Sequence, residues 1–263
     1  MNIHLELTRQ FNAGRFRAVI CSEQAVVLHR LAIMSKDGDW VLRENPETMD
    51  HVLGVLAERG ARYRFGAPLD VRWMTGGWSS HLQLSHEKLR IRTDFFTRPP
   101  RISTPRLALL WREQEGRDPP FVGVEDLAEI KKTNREKDYA VIGELARMMA
   151  DVRDQLLYSR SARDLIGLAE EHPDTLSEVV ERRPDVLGMI SFGRAELEAA
   201  LDAERRRLIH ANEERLGAYM EAAKNWSQMW PEVARLINGR PLTEAHSILV
   251  ERAEGVLPFH LEH

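Results

Sequence analysis

The sequence predicts an α+β chain, with a mixed sheet flanked by helices over residues 1–120 and an all-α helical domain over residues 121–260. Three observations carry that expectation. Up to about residue 120, short β-rich runs alternate with helical ones, whereas beyond it almost every stretch has helical period. Pro119-Pro120 stands at the change of character. At 263 residues, the chain has room for one large or two modest domains of roughly 150 residues each.

Taken in order, Ser22 is placed to cap a helix whose apolar positions Ala25, Val26, Leu28 and Ile33 follow helical spacing. The run Gly38-Asp39-Trp40-Val41-Leu42 reads as a strand. Asn45-Pro46 joins a capping side chain to a proline at the first helical position. The helix it opens carries Met49, Val52, Leu53, Val55 and Leu56 and stops at Gly60. Strand-like runs follow at 62–65, 69–75 and 79–84, with Gly76-Gly77 as a turn, and a last strand leads from Leu89 to Thr97 before Pro99-Pro100. From Val124 on, helical patterns recur over 127–149, 152–169, 173–182, 195–226 and 230–236, with a final one near 244–253. In the long fourth pattern, Glu204-Arg205-Arg206-Arg207 reads as a solvated face with i,i+4 pairing.

Charged residues make up 30 % of the chain and hydrophobic residues 43 %, enough apolar material for a real core. The most apolar stretch, 17–34, is broken by Glu23, His29 and Arg30 short of the roughly 20 residues a bilayer span requires, so no membrane association is expected. The first ten residues include Glu6 and no apolar segment, unlike a signal peptide. Cys21 is the sole cysteine. It excludes an intramolecular disulfide and a cysteine-based zinc site, and fits a bacterial-type cytoplasm. A net charge of −4 argues against a general nucleic-acid coat while leaving local basic patches open. The terminal Leu261-Glu262-His263 reads as the start of an added tag.

Chemistry is suggested first by Asp37-Gly38-Asp39. Residues i and i+2 of a strand share a face, so both carboxylates converge. At about 4 Å they repel by about 4 kcal/mol in an effective dielectric near 20, which calls for a cation; hard oxygens so spaced suit Mg²⁺ shared with substrate phosphates. Asp94 comes second. Alternation sets Arg90, Arg92, Asp94 and Phe96 on one face of their strand, where a mid-strand acid is disfavoured unless exposed or bound. The alternative is an edge-strand acid paired with Arg92 or Arg90. His29, Trp73 and Trp78 read as packing residues, although the two tryptophans beside Gly76-Gly77 also have the chemistry to stack a base. No Ser-His-Asp arrangement, phosphate-binding P-loop or dinucleotide fingerprint is present.

The order of these parts resembles the nucleotidyltransferase superfamily of the polymerase-β type, including its bacterial toxin-like members in toxin–antitoxin and abortive-infection systems. Ser22-Glu23 stands where the family opens a helix with a small-residue pair. Ser35 precedes the acid-x-acid strand of Asp37 and Asp39, and Asp94 lies on a later strand. The segment from Asp126 to Asp138 is similar to the lysine-containing helix that follows the core in many small bacterial members. The resemblance covers residues 15 to about 148. It implies a Mg²⁺-dependent (or Mn²⁺-dependent) enzyme that moves a nucleoside monophosphate from an NTP such as ATP to a protein, tRNA or small-molecule acceptor. Asp37, Asp39 and Asp94 would be the catalytic, metal-holding acids. Ser22, Ser35, Lys131, Lys132, Arg135 and Lys137 would meet the nucleotide, and Arg90 and Arg92 the acceptor. For the lysines and arginine of 131–137, the plainer reading is a basic helix face docked on acids such as Glu129 and Glu136.

Two positions depart from the family. Glu23 stands where a second Gly or a Ser lets the backbone approach the triphosphate, and Ile33 where many members have Arg. Both imply weaker phosphate binding, and with it an alternative function: a catalytically inactive protein of this fold, acting as a nucleotide- or partner-binding module.

Overall fold

The computed structural model describes residues 2–261. The chain is α+β and forms two compact parts: Met1–Val122 with Gly217–His263, and Gly123–Leu216.

The first part holds a five-stranded mixed sheet of β1 (Ala18–Cys21), β2 (Asp37–Leu42), β3 (Arg62–Tyr63), β4 (Ser80–His86) and β5 (Leu89–Phe96), in the spatial order β1-β2-β5-β4-β3. Only β2 and β5 run parallel; the other neighbours are antiparallel. Around the sheet lie α1 (Ile3–Phe11), α2 (Ser22–Leu28), α3 (Pro46–Glu58), α4 (Val71–Met74) and α5 (Thr104–Gln114). The start of α3 follows from its sequence: Asn45 accepts a hydrogen bond from the Thr48 amide at 2.8 Å, and Pro46 occupies the first turn. One sheet face carries the core. Trp40 stacks on Phe95 at 5.5 Å between ring centres, and Phe11 of α1 meets Trp40 edge-on at 5.3 Å. The Trp40 indole N–H donates to Thr8 at 2.9 Å, so its one polar atom is satisfied inside the core. The outer edge of β1 is covered as well, by bonds between Ile20 and the backbone of Pro120 and Val122.

Several expected elements differ. The run 69–75 is not a strand: Asp70 accepts from the Arg72 amide at 2.9 Å and opens α4, which buries Trp73 and Met74. Leu69 and Trp73 are one helical turn apart, a spacing that alternation over so short a run conceals. The helix from Ser22 ends at Leu28 instead of reaching Ile33, because Arg30 turns into the left-handed region at φ 64°. The strand at 62–65 shrinks to two residues.

The second part is helical throughout. It contains α6 (Val124–Ile130), α7 (Glu136–Met148), α8 (Val152–Tyr158), α9 (Ala162–Glu171), α10 (Pro173–Val179), α11 (Pro184–Leu187) and the larger portion of α12 (Arg194–Ala222). The expected helix 127–149 is broken over 131–135, where Thr133 and Arg135 bond to Asp138. Leu156, Leu165, Val186, Leu187 and Leu197 form its core.

The compact parts divide after Val122 and again before Gly217. Residues from Gly217 onward, with α13 (Lys224–Ile237) and α14 (Leu242–Ala253), belong with the sheet. Trp226 is buried and donates its indole N–H to the Gly66 carbonyl at 3.0 Å. The Trp73 and Trp78 indoles donate to the carbonyls of Leu257 and Pro258 at 3.1 and 2.8 Å, so both are core residues. Leu261 adds a backbone bond to Gly76; Glu262 and His263 lie outside the described residues. Among the described residues no helix is long and apolar enough to cross a membrane.

Candidate functional site

The sheet register brings the three aspartates onto one face. Asp39 lies directly opposite Asp94 on the parallel pair β2–β5, and Asp37 opposite Arg92. With adjacent strands about 4.8 Å apart and alternate residues sharing a face, Asp37, Asp39 and Asp94 share one patch. The same row continues into β4, where His81 faces Asp94. Asp94 therefore sits on a central strand, not an edge, and its partners are neither Arg90 nor Arg92. Arg64 donates to its Oδ1 at 3.0 Å, and His81 Nδ1 lies 2.8 Å from the same oxygen. Arg92 is in register with Asp37, and its Nε lies 4.0 Å from Asp37 Oδ1. Arg90 and Arg92 are exposed on the same face.

The loop before β2 is held by side chains whose significance the sequence hides. The Ser35 hydroxyl donates to the Asp37 carbonyl at 3.0 Å, and Gln24 of α2 donates to the Ser35 carbonyl at 3.0 Å. The Ser35 oxygen is thus spent on the turn that presents Asp37. Ser22 takes a left-handed φ of 54° at the start of α2, a conformation that favours glycine. Ile33 is 98 % exposed and offers no charge to a phosphate.

Beneath the acids, His4 of α1 is buried, and burial, outweighing the Ser35 carbonyl and the Asp37 charge, pushes its pKa down to about 4. It is a neutral ring at pH 7. Together with Gln24, Ser35, Asp37 and Arg92 it lines a cleft of about 740 Å³. His29 packs against Phe121, its Nε2 3.0 Å from the Val122 carbonyl, which is the packing role expected of it.

The remaining basic candidates lie in the helical part. Lys131 is buried, 3.5 Å from Asp138, and Arg135 meets the same carboxylate at 2.8 Å. Lys132 pairs with Glu129; burial draws its pKa below the ordinary value while the Glu129 charge opposes the shift. Lys137 is exposed. Of the residues that matter locally, Arg64, His81, Gln24 and His4 were not signalled by any motif. The position of His81 opposite Asp94 depends on the β4–β5 register, which a single sequence leaves open.

Among the described residues, no group of three His, Cys, Asp or Glu side chains is placed to hold a metal ion. Asp94 is turned to Arg64 and His81 instead.

No family model matches the chain, and no curated protein matches it. Among solved structures it is similar to the crystal structure of a candidate nucleotidyltransferase from H. pylori, at 12 % identity and a TM-score of 0.40, over 81 % of this chain and 96 % of that one. A TM-score of 0.40 does not establish a shared fold.

Proposed function

We propose that the acid-bearing face of the sheet is the reaction site of a cytoplasmic, magnesium-dependent nucleotidyltransferase, which moves a nucleoside monophosphate from an NTP to an acceptor. The observation that supports this reading is the register of Asp39 against Asp94 on parallel neighbours, with Asp37 two residues earlier on the same face. The left-handed Ser22 turn beside it agrees.

Magnesium is ordinarily held by one or two carboxylates, with substrate phosphates and waters completing its octahedron. Asp37 and Asp39 are a fitting pair for that purpose once a triphosphate is bound, and Asp94 need not reach the ion. When bound, the ion supplies neutralisation of charge on the triphosphate. In the transfer, an acceptor oxygen forms a bond to the α-phosphorus. The bond from that phosphorus to the oxygen bridging to the β-phosphorus breaks, and pyrophosphate leaves with its electron pair. The acceptor proton passes to Asp94. Arg64 and His81 both occupy Oδ1 of that carboxylate, fixing its orientation and leaving Oδ2 to accept. Ser22 contributes a hydroxyl to the phosphates. The reading does not rest on Lys131, Lys132 or Arg135, which carboxylates of their own helical part already neutralise.

Calorimetric titration of the four NTPs with Mg²⁺ tests it. Wild type should bind at least one NTP only when Mg²⁺ is present, and Asp39→Asn should weaken that binding at least about tenfold, a loss of about 1.4 kcal/mol. Binding unchanged in Asp39→Asn would remove the acid face from the nucleotide site.

Glu23 and the exposed Ile33 favour a second reading, a non-catalytic module that binds nucleotide or a partner on the same scaffold. If the Glu23 carboxylate opposes phosphate, Glu23→Gly should tighten NTP binding in the same titration by about tenfold, in line with removal of a like charge. An unchanged affinity would show that Glu23 does not obstruct the site.

A further inference from the structure

Three cations on the open sheet face stand without counter-charge. Arg62, Lys88 and Arg90 are exposed and form no ion pair among the described residues. They line one cleft of about 470 Å³ together with Gln83 and Ser85, and no carboxylate lines it. Elsewhere in the same part of the chain, several arginines are committed to acids: Arg17 to Glu47, Arg59 to Glu6, Arg72 to Asp70 and Glu254, Arg98 to Glu44. In a chain of net charge −4, a carboxylate-free cluster of like charges focuses a positive potential that attracts an anionic ligand.

The register supplies the layout. One row crosses four strands as Asp37, Arg92, Gln83 and Arg62. At about 4.8 Å per strand, Arg62 stands about 14 Å from Asp37, with Arg92 between them. The next row sets Arg90 opposite Ser85. Lys88 sits in the two-residue turn Glu87-Lys88, where both residues have positive φ, the geometry of a tight hairpin that fixes the lysine at the end of the face. The turn's own carboxylate, Glu87, lines the other cleft, 3.9 Å from His86.

Cations spread over three strands, or about 10 Å, exceed what one phosphate group engages, and match a run of phosphates. The cleft has no aromatic lining on which bases would stack. Contacts there track a backbone and carry little sequence preference. We infer that the cleft binds the phosphodiester backbone of a single-stranded nucleic acid. This rests on the transferase reading in one respect: the end of that strand, delivered along the row to Asp37, is the acceptor.

Fluorescence anisotropy with a labelled single-stranded oligoribonucleotide of mixed sequence, over a salt series, is the test. Wild type should bind, with affinity falling as salt rises. The double variant Arg62→Ala/Arg90→Ala should bind at least about tenfold more weakly, and its log–log salt slope should be shallower by about 1.4, or about 0.7 for each phosphate that is no longer neutralised. Arg117→Ala, an exposed arginine outside the cleft, should match wild type. The inference is overturned if the oligonucleotide does not bind, if the double variant binds as wild type does, if duplex competes equally, or if inorganic phosphate displaces the strand at comparable concentration. The NTP titration of wild type separates the two readings. Oligonucleotide binding without NTP binding would keep the cleft and sink the transferase; NTP binding without oligonucleotide binding would do the reverse.

Discussion

Glu204→Gln is expected to destabilise the helical part of the chain by about 3–5 kcal/mol at pH 7, the loss that follows from removing one partner of a buried ion cluster. Glu204 of α12 takes a two-pronged hydrogen bond from Arg183, at 2.9 and 2.7 Å, and a third from Arg160. All three side chains are largely buried, at 16, 6 and 10 % exposure. Arg183 also caps the carbonyls of Leu156 and Ser159, so the carboxylate anchors a guanidinium that ties α8 to α12. An amide there leaves two buried cations uncompensated. Burial opposes ionisation of Glu204, yet Arg183 and Arg160 together hold its pKa below the ordinary 4.5. The unfolded chain therefore takes up the proton first as pH falls. The carboxylate's contribution is complete above about pH 4.5 and is lost as pH drops through the lower folded value. Urea unfolding followed by far-UV circular dichroism should show a large gap between wild type and Glu204→Gln at pH 7, narrowing below about pH 4. Equal stabilities at pH 7 would refute the argument.

Gly38→Ala should cost about 3 kcal/mol, toward the upper end of the range for overpacking a well-filled core. Gly38 separates the two acids, but its own face of β2 points into the core. A Cβ there would stand 2.4 Å from His4 Nδ1 and 2.5 Å from the Trp40 ring, and neither ring is the loose end of a flexible chain. The six tryptophans, at 40, 73, 78, 111, 226 and 230, all lie in the sheet-bearing part, so their fluorescence reports this transition. Gly54→Ala is the contrast: a Cβ in mid-α3 meets nothing, and the change should stabilise by about 1 kcal/mol through helix propensity. If Gly38→Ala unfolds at the wild-type urea concentration, the close packing of His4 under the acid pair is wrong. The glycine of the acid-x-acid motif thus answers to packing on the reverse side of the sheet.

Local rules made part of this protein legible. The cap-and-proline start at Asn45-Pro46, the strand of Asp39 to Leu42 and the long strand after Leu89 each follow from short-range chemistry, and each is present. The same rules gave the α+β class. Period-2 alternation was enough to place Arg90, Arg92 and Asp94 on one face. It misled at 69–75, where one capping aspartate decides for a helix. Charge patterning misled at Glu204, whose charged surroundings in sequence suggested solvent but which lies between two arginines from the segments that precede α9 and α11.

By itself, then, the sequence determined which residues carry acid and base and where elements such as β2, α3 and β5 form, because capping, proline geometry and side-chain alternation act over a few residues. Only the tertiary structure decided that Asp39 stands beside Asp94, that Arg64 and His81 hold Asp94, and that the last helices return to the sheet. Those facts depend on strand order and register. Register is set by the burial of side chains such as Trp40, Phe95 and Trp226 against partners far away in the chain, which no local pattern encodes.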